Sequence, residues 1–100
     1  MWYQDVSDKK AVTKAIDEYR RLTRDIFLEK YGFARSRIYF VLYNGEYYDC
    51  KPILWAAYKH QFGTLPVSHA SSGTNSTIRP KLESMGFRVV RRSGALSDAG

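Results

Sequence analysis

The sequence predicts an α+β fold, a small single domain in the order α-β-β-α-α-β with a three-stranded antiparallel sheet and helices packed on one of its faces. Three observations predict it. Apolar residues recur at helical spacing from Val12 to Ile26. Two aromatic-rich runs flank Asn44-Gly45, the dipeptide that best tolerates the positive φ angles of a type I′ turn. Two further helical stretches then separate this ribbon from a late β-branched run, Phe87, Val89 and Val90, which can pair back onto it. A chain of 100 residues can build one modest core.

Residues 1–8 form a short lead in which Trp2 and Tyr3 cap one end of the core and Ser7 or Asp8 serves as an N-cap. From Lys9, the positions Val12, Ala15, Ile16, Tyr19, Leu22 and Ile26 define an amphipathic helix to about Lys30. Thr23 is the point at which it would break, and Gly32 lies beyond its end. Lys14, Arg20, Arg21 and Arg24 then point outward, which is usually only a solvated face. Arg35 and Arg37 lead into the hairpin and lie nearer the expected site.

With Asn44 and Gly45 as the turn, Tyr43 faces Glu46, Leu42 faces Tyr47, Val41 faces Tyr48 and Phe40 faces Asp49. One face of the ribbon carries Ile38, Phe40, Leu42 and Tyr47, and the other Tyr39, Val41, Tyr43, Tyr48 and Cys50. Both are rich in apolar atoms, so one of them is left to explain as surface. Pro52 opens the next helix, where a missing N–H is harmless, and Gly63 ends it. Ile53, Ala56, Ala57 and His60 form its inward stripe. The stretch 64–77, TLPVSHASSGTNST, is a loop by composition. A short helix begins near Ser76 or Thr77, keeps Pro80 in its first turn and stops at Gly86. Residues 1–90 thus form the domain, and 91–100, RRSGALSDAG, read as a linker or tail.

Fifteen residues in the hundred are aromatic and eight of these are Tyr, a side chain that suits half-wet cores and binding surfaces alike. A net charge of +6 favours polyanionic partners, nucleic acid before membrane, although a charge of this size also serves solubility. One cysteine excludes an internal disulfide and the usual zinc sites. His60 and His69 are too few and too far apart for a metal centre. No run approaches the roughly 18 apolar residues of a membrane span, and there is no signal-type segment, so the chain reads as soluble and cytoplasmic. No nucleophile–base pairing, HExxH, phosphate-binding loop or GxGxxG occurs, and no catalytic residue or cofactor is assigned.

Two stretches carry binding chemistry. Ser72, Gly73, Thr74, Asn75 and Thr77 sit at a helix start whose free N–H groups favour a phosphate, with Arg79 and Lys81 in the first turn. The plainer reading is an N-cap in a surface loop. In the second helix Lys51, Trp55, Tyr58 and Lys59 mix basic and aromatic side chains, as stacking plus phosphate contact requires, although Trp55 taken alone is more at home in a core. The element order is not that of a double-stranded-RNA-binding domain, and the RNP aromatic motifs are absent.

These motifs carry a resemblance. Phe27-Leu28 through Tyr31-Gly32-Phe33, Tyr48-Asp49-Cys50-Lys51-Pro52-Ile53, Ala70-Ser71-Ser72-Gly73 and Met85-Gly86-Phe87 follow one another as FLxxYGF, YDSKAI, FSGG and LGF segments do in the N-terminal head domain of ScoMcrA-type, modification-dependent HNH restriction endonucleases. The chain resembles that family from about Val12 to Val90, and departs from it at Cys50, at Pro52 and in Ser-Gly for Gly-Gly. The resemblance implies a DNA-reading module at the front of a multidomain nuclease, with the nuclease elsewhere.

The expected function is therefore a non-catalytic domain that binds double-stranded DNA and reads a modification. Arg37, Lys51, Lys59, Arg79 and Lys81 are expected on phosphates. Tyr39, Tyr43, Tyr48 and Trp55 are the candidates for stacking on or enclosing a base, and Asp49 for accepting from a base amino group. Asn75 and Thr77 are placed to reach a groove edge. The rival readings are a protein-interaction or assembly domain and an RNA-binding module.

Overall fold

The computed structural model describes residues 2–66 and 74–92. Its elements run α1 (Trp2–Asp5), α2 (Lys9–Leu22), α3 (Arg24–Tyr31), β1 (Tyr39–Tyr43), β2 (Glu46–Asp49), α4 (Cys50–Phe62), α5 (Asn75–Ser84) and β3 (Arg88–Arg91). This is the expected α-β-β-α-α-β order, with the first helical region divided in three. The antiparallel sheet has the order β2-β1-β3, and the hairpin register is the one the turn dictates, from Tyr43 opposite Glu46 to Phe40 opposite Asp49. Asn44 and Gly45 both take positive φ, 50° and 80°, as a type I′ turn demands.

The N-terminal helix begins at Asp8, whose carboxylate accepts from the Lys10 amide at 2.9 Å. It breaks at Thr23, where φ is 74° and ψ 161°. The break resets the helical phase, so α3 buries Phe27, Leu28 and Tyr31, and Ile26, expected inward, is exposed.

Helix α4 is the centre of the molecule and touches α1, α2, α3, α5, β1 and β2. Its five consecutive residues Ile53 to Ala57 are all buried, which only a helix surrounded on every side can achieve. The expected stripe of Ile53, Ala56 and Ala57 is thus part of a fuller burial, and His60 lies at its edge, partly exposed.

The tyrosine face of the ribbon is the one turned to the helices. Val41 and Tyr48 are core, and Tyr39, Tyr43 and Val89 pack against it. On the opposite face Phe40 is also fully buried, beneath Arg24 at 5.8 Å and beside Tyr47 at 6.4 Å. Helix α5 begins at Asn75, earlier than expected, which leaves Pro80 inside the helix and past its first turn. Phe87 belongs to the core and not to a strand. The final strand starts at Arg88, and the Arg92 amide still donates to the Ile38 carbonyl at 2.6 Å, two residues past the expected boundary at 90.

Candidate nucleic-acid interface

The expected base-reading residues are mostly inside the protein. Trp55 is buried with its ring 4.8 Å from Trp2 and 5.9 Å from Phe33. Tyr48 is buried with its ring 4.9 Å from Tyr19, and burial, with Glu46 nearby, pushes its hydroxyl pKa up to about 12. Tyr43 is half-buried near Phe87 at 6.0 Å, and Tyr39 is half-buried under the Arg79 guanidinium at 4.1 Å.

Asp49 is fully buried and its lone pairs are used. Oδ1 accepts from the Tyr19 hydroxyl at 2.6 Å and Arg24 Nε at 3.0 Å, and Oδ2 from Arg24 Nη2 at 3.1 Å and the Ser36 amide at 2.7 Å. Burial by itself raises a carboxyl pKa. These hydrogen bonds and the Arg24 charge outweigh it and hold Asp49 below the usual range. With no acceptor capacity left, Asp49 has a structural role, correcting its expected place at a base amino group.

At the start of α5, the Thr74 amide donates to Thr77 Oγ1 at 2.9 Å and the Thr77 hydroxyl donates to the Thr74 carbonyl at 3.0 Å. The Thr77 side chain is therefore engaged as a cap, and the plainer reading of that motif holds for it. Ser72 and Gly73 lie outside the described residues, as does the side chain of Asn75. A groove of about 320 Å³ runs from Tyr3 and Gln4 to Ser76, Thr77 and Lys81.

The expected cations separate into groups. Lys59 stands over the Tyr31 ring at 5.8 Å, and Lys81 Nζ donates to the Gln4 carbonyl at 3.2 Å. Lys51 is half-buried at the start of α4, and burial lowers its pKa. Arg37 and Arg79 join a set the sequence reasoning passed over. Arg91 faces Tyr39 across the strands, Arg79 stacks on the same Tyr39, and Arg37 is two residues upstream. Arg88 pairs with Leu42, and the Arg92 guanidinium lies 4.4 Å from the Tyr47 ring centroid.

Among the described residues, none of Arg37, Arg79, Arg88, Arg91 and Arg92 is in an ion pair, whereas Arg20, Arg24, Lys30 and Arg35 are. A local signal for this set was present in the sequence. Arginines bracket the two valines of the last strand, as a sheet edge facing a polyanion would require.

A further concave site lies at the other edge of the sheet, a cleft of about 370 Å³ lined by Tyr19, Arg20, Thr23, Arg24, Glu46, Tyr47 and Tyr48. Arg20 Nε is 3.4 Å from the Glu46 carboxylate at its mouth. No group of three or more His, Cys, Asp or Glu side chains able to hold a metal occurs among the described residues. No helix among them is long and apolar enough to cross a membrane.

No curated protein and no solved structure significantly matches the chain. The family model of the ScoMcrA-like N-terminal head domain matches residues 4–91, nearly the whole of this fold, and the chain belongs to that family.

Proposed function

We propose that the domain is a non-catalytic DNA-binding module that serves a larger modification-dependent restriction endonuclease. The observation that carries this reading is the set of five arginines around β1 and β3 that, among the described residues, have no carboxylate partner. A cation already neutralised by a carboxylate has little to offer a phosphate, whereas a free guanidinium releases counterions on contact. Arg79 and Arg92 are backed by aromatic rings, which hold the guanidinium planes in place before a partner arrives. Lys51, at the start of α4, is a further expected phosphate contact.

Phosphate contacts give affinity and position without sequence information. Reading a modification therefore falls to another part of the surface, since Tyr48, Trp55 and Asp49 are buried. The test is a titration of the domain with matched duplexes, unmodified or carrying 5-methylcytosine, 5-hydroxymethylcytosine, N6-methyladenine or a phosphorothioate linkage, at two salt concentrations. A preference for one modified duplex at both salts supports the reading. Equal affinities with a steep salt slope reduce it to backbone attraction, and tighter binding of matched RNA points to the RNA-binding alternative.

The assembly reading is favoured by one observation, the exposure of Phe62 and Leu65 at the end of α4. Light scattering at rising concentration checks it. A mass that stays monomeric leaves those residues to contacts with other parts of a longer chain.

A further inference from the structure

We propose that the cleft between the α2–α3 junction and β2 is a subsite for an unpaired nucleobase bearing an exocyclic amino group, with the Glu46 carboxylate accepting from that group. This deepens the DNA-binding reading and rests on it for the source of the base.

The size and stiffness of the cleft fit such a ligand. A volume of about 370 Å³ accommodates a base and part of its sugar. One wall is locked, because Arg24 is held on both oxygens of Asp49, donates to the Ser36 carbonyl at 3.1 Å and covers Phe40. Thr23, at another wall, holds a backbone conformation that non-glycine residues rarely adopt, and such strain gathers at binding sites.

Its donors and acceptors fit a base edge. In the hairpin register, Tyr43–Glu46 and Val41–Tyr48 are the pairs that exchange backbone hydrogen bonds, so the N–H and C=O of Tyr47 point away from β1. Strand β2 is an edge of the sheet, and this adjacent donor and acceptor therefore face outward. Glu46 follows on the same strand. Its carboxylate is set by Arg20 at 3.4 Å and by the Tyr48 hydroxyl at 3.3 Å, and it is exposed, unlike Asp49. A carboxylate that accepts from an amino group distinguishes cytosine and adenine from thymine. Arg92 has no ion pair among the described residues and stacks on Tyr47, a lining residue of the cleft, where it supplies a cation for the phosphate of the same nucleotide. An extended peptide would also use the Tyr47 edge, but it has no call on the paired Glu46 and Arg20 or on Arg92.

The experiment is an amide-resolved NMR titration of the ¹⁵N-labelled domain with dCMP, dAMP, dTMP, inorganic phosphate and a neutral extended peptide, run beside duplex binding. The proposal expects shifts at Thr23, Arg24 and Tyr47 with dCMP and dAMP, about tenfold tighter than with dTMP, and loss of that preference in Glu46→Gln. Equal shifts with dTMP or with phosphate alone overturn it, as do shifts with the peptide only or no shifts at all. Intact duplex binding without dCMP shifts removes this subsite and leaves the DNA-binding reading standing. Shifts with dCMP in a domain that binds no duplex support the subsite and remove that reading.

Discussion

At Thr23 the chain holds φ 74° and ψ 161°, a region open to glycine and costly for any residue with a Cβ, by about 1–3 kcal/mol. Replacing Thr23 with Gly relieves that cost and returns part of it as extra freedom of the unfolded chain. The expected outcome is a net stabilisation of about 1 kcal/mol, read as a higher urea midpoint with an unchanged slope. A lower midpoint would mean that the Thr23 side chain contributes more than its backbone costs. Two buried carboxylates set the response to acid. Burial pushes the Glu18 carboxyl up, but hydrogen bonds from Lys30, Tyr31 and His60 prevail and hold it below its ordinary range, as Arg24 and Tyr19 do for Asp49. A depressed folded pKa gives stability that is complete above the unfolded value, about 4, and is lost as pH falls through the folded value. Urea midpoints should therefore hold above about pH 4 and fall progressively as the pH drops below it. Asp49→Asn should lose about 3 kcal/mol at pH 7, by stranding Arg24, and show a shallower acid loss than the parent. Neither partnership was legible in the sequence, since Asp49 and Arg24 are 25 positions apart and nothing local announces the pair.

The elements were legible where local rules decide them. Asn44-Gly45 and the alternation around it specify the hairpin register, because a shift by one residue would turn every side chain to the wrong face. Gly45→Ala forces a Cβ onto φ 80° with no atom within 4 Å of it, so the expected loss, about 1–2 kcal/mol, is purely conformational. A thermal or urea melt checks it, and a neutral outcome would mean the turn relaxes to another type. What local rules do not decide is which face of an element meets the core. The Thr23 break shifts the phase of α3, so Ile26 points outward and Phe27 and Leu28 point inward. Helix α4 is covered on all sides, and this places Trp55 in the core despite its position among basic residues. The ribbon has two apolar faces, and only the packed helices select the tyrosine side.

For the whole molecule, the net charge of +6 said that a polyanion is a plausible partner but not where it would lie. Folding neutralises several cations internally, holds Lys59 and Lys81 by other elements, and leaves Arg37, Arg79, Arg88, Arg91 and Arg92 around β1 and β3 without an ion pair among the described residues. Arg91 and Arg92 escaped the sequence reading because a strand that ends in RR looks like the start of a tail until its last hydrogen bond, from Arg92 to Ile38, is seen. The most direct measurement is the salt dependence of duplex affinity for the parent domain and for the Arg88→Ala/Arg91→Ala double variant. Both side chains are exposed, so the fold should persist. The double variant should bind uniformly more weakly, with a log–log salt slope smaller by about two. No duplex binding by the parent, or a slope unchanged in the variant, would contradict it.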